Sequence, residues 1–304
     1  MLRIIDVSET PARLSVRLDN LCIGVNQQET RIRLDELAAV VISHPQVSFT
    51  HAALSGLADA NVAFVACDSR RMPVGMLLPL HPHGTQTQSF AEQAKLSKPT
   101  CKQLWKQIII AKIASQAALL DSLGVMAEDL LDMSRHVRSG DPENLEAQAA
   151  KIHFGRLFGY SFRRQFNALD QNRHLNYGYA VLRGIVTRAI CGAGLHPSLG
   201  IHHHHRNNPF ALADDLIEPF RPLVDRAVYL WEKDHDPRDE FDREAKRHLI
   251  EALLCRIELE SEQRTLFDVV ARMACSLAAV ARGQRKRMIL PKPKAIIAAV
   301  REEE

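Results

Sequence analysis

Short runs of alternating apolar and polar residues fill the first quarter of the chain. Five of them have the period of two that is typical of β-strands, at residues 2–7, 12–18, 21–25, 30–34 and 37–43. Residues 61–68 form a further apolar strand, whereas residues 50–59 have a helical period. The pattern predicts a small β-rich N-terminal domain over residues 1–72, with one helix.

The pattern changes after this region. Residues 73–88 contain prolines, glycines and a polar end, which favours a linker. From Phe90 almost to the end, apolar residues recur with a period near 3.6, as at Leu104, Ile108 and Ala111, and Gly124 is a natural helix end. Further helices are predicted at residues 127–138, 143–159 and 223–234. A long helix is predicted to end at Gly192 or Gly194, and a pair of helices is predicted over residues 245–282. The predicted fold class is α+β, with residues 89–304 as an all-α domain.

Composition restricts the class of protein. The 304 residues are 46% hydrophobic and 25% charged, which is typical of a globular protein of two ordinary domains. No run of about 18 apolar residues occurs, and the first residues do not resemble a signal peptide. We therefore expect a cytoplasmic protein without a membrane segment. The six cysteines are far apart, so we expect neither a disulfide framework nor a zinc ribbon.

The stretch at residues 194–222 gathers the most polar chemistry. It holds four adjacent histidines, 202–205, and then Asp214, Asp215 and Glu218. The histidine run alone is equally consistent with a solvated loop, and at most two of its imidazoles can face one metal. Asp215 and Glu218 share a helix face, but acids near a helix start also favour its dipole. Glu218 could simply pair with Arg221.

A fourth acid, Glu146, lies one turn into a predicted helix and is followed by small residues. On its own it is also consistent with a helix N-terminal acid. Together, one imidazole and two or three carboxylates from separate helices suit Mn²⁺ or Mg²⁺ better than zinc. Nearby arginines suit phosphate. The combination favours metal-dependent phosphodiester chemistry, and hence an enzyme acting on DNA.

Four segments carry a resemblance to a known family. The segments LEAQAAKIHFGRLFG, LNYGYAVLRGIVTRAICGAGLHPSLGIHHHH and FALADDLIEPFRP resemble the CRISPR-associated spacer-acquisition integrase, the universal endonuclease of the adaptation module. QLWKQIIIAKIASQA resembles the corresponding helix of type II members. The similarity extends over essentially all of residues 1–300, and its most specific motifs lie between residues 146 and 222.

The resemblance implies a set of site residues. The family's metal-binding glutamate matches Glu146, its histidine matches His203 in the G-x-x-H register after Gly200, and its last acidic ligand matches Glu218. Asp215 would support the metal ligands without binding the metal itself. The metal would be Mg²⁺ or Mn²⁺.

Two features depart from the family pattern. His202 and His204 compete with His203 for the ligand position, and the roles of His202, His204 and His205 stay open. His153 stands where many relatives have tyrosine, which we expect to alter local packing without removing the metal.

The resemblance also implies partners. We expect a homodimer whose β-rich domain contributes to dimerisation and partner contacts, double-stranded DNA as protospacer and repeat, and a small second subunit of the integrase complex. The effector nuclease is a further candidate partner. Five arginines are candidates for DNA contacts, namely Arg163, Arg164, Arg183, Arg206 and Arg221.

The resulting hypothesis is a CRISPR adaptation integrase and endonuclease that inserts new spacers by metal-dependent strand transfer. Two alternatives remain at this point. One is a metal-dependent nuclease acting on branched or linear DNA. The other is a non-catalytic DNA-binding assembly subunit, whose acids would be helix caps and whose histidines would be loop.

Overall fold

The N-terminal part consists of strands and one helix. The computed structural model describes residues 3–68, 73–77, 86–165, 167–239 and 241–301. The elements of this part are β1 (Arg3–Val7), β2 (Arg13–Arg17), β3 (Asn20–Val25), β4 (Gln28–Arg33), β5 (Leu37–Ile42), β6 (Ser48–Phe49), α1 (His51–Asp59), β7 (Ala63–Cys67) and β8 (Pro73–Leu77). These elements confirm the strands and the helix predicted from the periodicity.

The strands form two four-stranded sheets. One has the order β4-β3-β2-β6 and the other β1-β5-β7-β8. In the first sheet, two-residue loops join β2 to β3 at Leu18 and Asp19 and β3 to β4 at Asn26 and Gln27, all with positive φ. Such loops match the right-handed twist of hairpin strands. In the second sheet β1, β5 and β7 are parallel, whereas β8 is antiparallel to β7.

Strand β8 shows that the predicted domain boundary is too early. Its residues, Pro73–Leu77, lie inside the predicted linker but extend the N-terminal sheet. Proline and glycine favour a linker in the sequence, yet β8 is an edge strand, where a residue without a ladder N–H is tolerated. Residues 86–88 of the predicted linker already belong to a helix. Residues 78–85 lie outside the described residues.

Helices dominate the remainder of the chain. They are α2 (Gln86–Ala94), α3 (Lys98–Ser122), α4 (Glu128–His136), α5 (Leu145–Phe158), α6 (Gln171–Gly192), α7 (Ala211–Ile217), α8 (Arg221–Trp231), α9 (Arg243–Glu251), α10 (Leu266–Ala281) and α11 (Pro293–Ile297). A 3₁₀ turn, Glu218–Phe220, joins α7 to α8. Helix α3 begins where the Ser97 side chain accepts the backbone N–H of Thr100. The fold class, strands followed by helices, is confirmed.

The prediction that the second part is purely helical is wrong in one place. Strands β9 (Cys255–Leu259), β10 (Glu262–Thr265) and β11 (Val300–Arg301) form an antiparallel sheet within it. This sheet interrupts the helix pair predicted over residues 245–282. Every second residue of β9 is buried, so the strand covers the helical core on one face only.

The two parts share a hydrophobic core. Ala38, Val41 and Val65 of the β1-β5-β7-β8 sheet belong to the same buried cluster as α3, α6 and α10. At the junction the Tyr177 hydroxyl donates to Asp6 at 2.7 Å. The N-terminal sheet is therefore a packed neighbour of the helical part. No helix among the described residues combines the length and apolarity needed to cross a membrane.

Candidate functional site

Glu146 lies in the first turn of α5, where a local cap fixes its backbone. The Asp141 carboxylate accepts the backbone N–H groups of Leu145 at 2.9 Å and Glu146 at 3.0 Å. These are two of the N–H groups that a helix start leaves without partners. Pro142 lies in the turn before Leu145. From this position the Glu146 side chain contacts Lys112 of α3.

Asp215 organises the loop that carries the histidines. It is fully buried on α7, and its carboxylate accepts the backbone N–H groups of Ile201 at 2.5 Å, His202 at 2.9 Å and His203 at 3.2 Å. It also accepts the Nδ1–H of His203 at 2.6 Å, and this hydrogen bond raises the pKa of His203. With Nδ1 engaged, Nε2 is the ring nitrogen left for a ligand role. Among the four histidines, this geometry distinguishes His203.

Gly200 lets the histidine loop approach α7 closely. A Cβ atom at this position would lie 2.3 Å from the His203 carbonyl oxygen and 3.1 Å from Asp215 Oδ2. No side chain fits in that space. The glycine of the G-x-x-H register is therefore required by the tight turn that brings three backbone N–H groups to Asp215.

Trp105 of α3 packs against the same loop from the other side. Its ring is stacked on His202, with centroids 4.1 Å apart, and meets His203 edge to face at 5.6 Å. Two turns further along α3, on the same face, lies Lys112. One helix thus supplies both the aromatic support of the loop and a buried cation.

Lys112 joins two of the candidate ligands. It is only 4% exposed, and its ammonium forms ion pairs with Glu146 and, at 2.5 Å, with Oε2 of Glu218. The other oxygen of Glu218 accepts from Arg221 at 2.8 Å. Burial alone raises the pKa of Glu218, but Arg221 and Lys112 outweigh it and lower that pKa to about 2. Glu218 is therefore an ionised carboxylate in the interior.

A buried network supports Arg221. Its guanidinium lies over the Tyr179 ring, 4.2 Å from the centroid. The Tyr179 hydroxyl donates to Asp225, whose other oxygen accepts from His153 Nε2 at 3.0 Å. His153, Tyr179 and Asp225 are all buried. His153, expected to alter local packing, here anchors the carboxylate behind Arg221.

A cavity of about 300 Å³ opens beside His203 and Glu218. Its lining is mostly polar, with Arg164, Asn176, Tyr179, Ala180, Arg183, His203, Asp214, Ile217, Glu218 and Arg221. Arg183 donates to Asp214 at 2.7 Å, so this acid serves an arginine rather than the candidate ligand set. Each guanidinium carries five N–H donors, and those not used internally can bind phosphate oxygens.

The remaining candidate arginines lie elsewhere. Arg206 lines a separate groove of about 780 Å³, with Lys98, Lys102, Trp105 and His204 among its neighbours. Arg163 donates to the backbone oxygens of Tyr160 and Phe162 and lines a third cavity, without any of the candidate ligands. Of the five predicted DNA contacts, only Arg164, Arg183 and Arg221 therefore line the cavity of His203 and Glu218.

The structure brings the three candidate ligands together in pairs. Glu146 and Glu218 share Lys112, and His203 and Glu218 line one cavity. Among the described residues, no three His, Cys, Asp or Glu side chains lie close enough to hold one ion jointly.

The donor set nevertheless suits Mg²⁺ or Mn²⁺. Glu218 is buried and ionised, and its Oε2 contacts the Lys112 ammonium that also contacts Glu146. A buried ionised carboxylate, with a second carboxylate on the same ammonium and an imidazole nearby, is suited to a hard divalent cation.

Sequence reasoning did not select Lys112, Trp105, Tyr179 or Asp225. The sequence does mark Lys112 as unusual, because it occupies a core position near Ile108, Ile109 and Ile113 of α3. A lysine in an apolar stripe is almost never buried without a partner. Nothing in the pattern identified that partner, since Glu146 and Glu218 belong to other helices.

Comparison with known proteins gives a consistent result. The family model described as CRISPR associated protein Cas1 matches residues 5–257. A curated CRISPR-associated endonuclease Cas1 from Neisseria meningitidis serogroup C is 36% identical over 283 residues, which is 92% of each chain.

Solved structures share the fold. A casposase bound to integration product superposes with a TM-score of 0.82 at 20% identity, covering 99% of this chain and 96% of the other. A chain of a Cas6-RT-Cas1–Cas2 complex superposes with a TM-score of 0.71 at 19% identity, covering 94% of this chain and 35% of that one.

Proposed function

The chain belongs to the Cas1 family of CRISPR-associated endonucleases, as the resemblance in residues 146–222 implied, and from this premise we propose that it is a metal-dependent DNA integrase. It would join a short foreign DNA to a CRISPR array by strand transfer. The observation that carries the proposal is the meeting of Glu146 and Glu218, from separate helices, at one buried point beside the cavity of His203.

We infer that Glu146, His203 and Glu218 would hold Mg²⁺ or Mn²⁺. When bound, such an ion acts as a Lewis acid on the phosphate and helps to activate the attacking hydroxyl. Asp215 keeps the Nδ1–H of His203 and so orients Nε2 toward ligands. No nucleophilic side chain is needed, because the 3′-hydroxyl of the incoming DNA would attack the phosphodiester and displace the 3′-oxygen of the target strand, which leaves as a 3′-hydroxyl.

The arginines of the cavity would position the DNA. Arg164, Arg183 and Arg221 face the same space as His203 and Glu218. Their fixed positive charges favour phosphate and the charge that develops on it during transfer. Backbone binding of this kind makes affinity strongly dependent on salt.

The partners follow from the same premise. The structural neighbours include a casposase bound to integration product and a Cas6-RT-Cas1–Cas2 complex. We propose that this chain likewise binds double-stranded DNA, forms a homodimer and assembles with a small second subunit. The effector nuclease is a further candidate partner.

Alanine substitutions test the proposal. Glu146→Ala, His203→Ala and Glu218→Ala should each abolish strand transfer of a labelled short duplex into a plasmid carrying the repeat. DNA binding should largely persist, because the cavity arginines remain. Glu143→Ala and His205→Ala are matched controls, since both residues are exposed neighbours outside the ligand set. Full strand transfer by a variant that carries all three substitutions would refute the metal site.

The same assay separates integration from simple nuclease action. The isolated protein is incubated with branched and linear DNA, with Mn²⁺ or with a chelator, and then with its small partner added. Joined products in the presence of the partner support the integrase. Cleavage of branched DNA without any joined product would favour the metal-dependent nuclease instead.

A further inference from the structure

Lys112 is a buried cation at the centre of the candidate metal site. Its side chain is 5% exposed, and the ammonium contacts both Glu146 and Glu218. Removing an ammonium from water costs several kcal/mol unless opposite charges compensate it. These two carboxylates are the compensation that the structure provides.

The charges of the site already balance without a metal. Glu218 uses Oε1 for Arg221 and Oε2 for Lys112, while Glu146 contacts Lys112. Two carboxylates thus face two cationic side chains. A divalent cation that binds both carboxylates must compete with the ammonium for the same oxygens. The cation and the ammonium would then lie close together in the interior, where like charges repel strongly.

We propose that Lys112 is the resident counter-ion of the metal site. It holds Glu146 and Glu218 side by side in the metal-free protein, and it opposes the divalent cation when that cation binds. The inference rests on the proposed function, since it requires these carboxylates to be metal ligands. Its consequence is a metal affinity weaker than that of the same ligands without the lysine.

A merely structural ion pair would behave differently. Loss of such a pair destabilises the fold and leaves metal affinity unchanged or weaker, because the ligands become less ordered. Loss of a competing counter-ion also destabilises the metal-free fold, since two buried carboxylates then repel each other. It makes metal binding tighter, however, and only this readout separates the two roles.

Calorimetric titration of the full-length protein with MnCl₂, without DNA, tests the proposal. Lys112→Met should bind Mn²⁺ at least about tenfold more tightly than the unmodified chain, given the size of a buried charge–charge interaction. Lys112→Gln, neutral but polar, should shift the affinity in the same direction and is the second variant if the methionine variant folds poorly. Because Lys112→Met lacks the counter-ion, Mn²⁺ should also raise its Tm by more than that of the unmodified chain.

Lys246→Met is the matched control. Lys246 is also buried, at 2% exposure, and pairs with Glu9 at 2.8 Å and Ser8 at 2.8 Å, away from the site. Its loss should lower the Tm with or without Mn²⁺ and leave the Mn²⁺ affinity unchanged. A tightening in this variant as well would show that the effect is not specific to Lys112.

The outcomes separate the two proposals. If the unmodified chain binds Mn²⁺ and a Glu146→Gln, Glu218→Gln double variant does not, the metal site stands. Unchanged or weaker binding by Lys112→Met then overturns the counter-ion role alone. If the double variant binds Mn²⁺ as well as the unmodified chain, the metal site itself is wrong and both proposals fall.

Discussion

The indole ring of Trp105 and the imidazole of His202 are stacked in parallel, with centroids 4.1 Å apart and an interplanar angle of 3°. The contact joins the long helix α3 to the histidine loop. It lies next to His203, which is hydrogen-bonded to Asp215. Although His202 has no proposed ligand role, its ring fixes the loop that presents His203. Through its contact with Trp105, His202 thus helps to hold His203 in position.

Truncation of Trp105 should impair catalysis by loosening this loop. Aromatic pairs of this kind stabilise by about 0.5–1.5 kcal/mol beyond area burial, and about 1.4 kcal/mol changes a rate tenfold. We therefore expect Trp105→Ala to lower the strand-transfer rate roughly tenfold, with Trp105→Phe less affected. Trp231→Ala is the control, because Trp231 stacks on His235 at 3.7 Å outside the candidate site. Equal losses in both variants would argue against a specific role for the loop contact.

Removing one oxygen from Asp215 should weaken the metal site. The carboxylate accepts three backbone N–H groups and the Nδ1–H of His203, whereas an amide has one acceptor oxygen and turns an NH₂ group toward donors. We expect Asp215→Asn to lower Mn²⁺ affinity by about 10–100-fold, measured by calorimetry. Asp214→Asn, which alters the contacts with Arg183 and Asn208, should have a smaller effect. A larger loss for Asp214→Asn would contradict this assignment.

Glu232 should make stability depend on pH. Burial, followed by the nearby Asp170 and Asp236, raises its pKa from 4.5 to about 7. A carboxyl with a raised folded-state pKa contributes stability below its unfolded pKa, and that stability is lost as pH rises toward 7.

Glu232→Gln isolates this effect. After discounting for partial exposure, we expect it to be more stable than the unmodified chain by about 1–2 kcal/mol at pH 8. At pH 4 the two should be similar. Urea unfolding at both pH values measures the difference, with Glu258→Gln as the exposed control. A constant difference at both pH values would show that titration of Glu232 is not involved.

Loss of the Tyr179 hydroxyl should destabilise the protein while sparing Arg221. The variant Tyr179→Phe removes a donor from the buried Asp225 but keeps the ring under the guanidinium. An unsatisfied buried carboxylate oxygen costs about 1–3 kcal/mol, which chemical denaturation would detect. Tyr229→Phe, whose ring faces Lys233, is the control. Strand transfer at low temperature should survive in Tyr179→Phe and fall in Tyr179→Ala, which also removes the ring.

Periodicity predicted most elements correctly but missed β9 and β10. The residues Cys255–Leu259 do alternate, and the hairpin has a two-residue loop of Glu260 and Ser261, both with positive φ. Such loops usually contain asparagine or glycine. Because Glu260 and Ser261 carry no such signal, the surrounding pattern predicts the helix pair across them.

The candidate ligands could be selected from the sequence only through the family's motifs. Spacing alone gave no reason to prefer His203 over His202, since the difference lies in which ring reaches Asp215. Nor could it pair Glu146 with Glu218, because their meeting depends on how α5 and the turn after α7 pack against α3. Lys112, which joins them, stands in the sequence as a charge within an apolar stripe, with nothing to identify its partners.

The hydrophobic cluster that includes Ala38, Val41 and Val65 extends across the division suggested by composition. A fragment containing only the helices would expose the surface that these three side chains normally cover, and exposed apolar surface of this kind promotes aggregation. Heating the intact chain should accordingly give a single calorimetric endotherm, because neither portion retains a complete interior once its neighbour has melted.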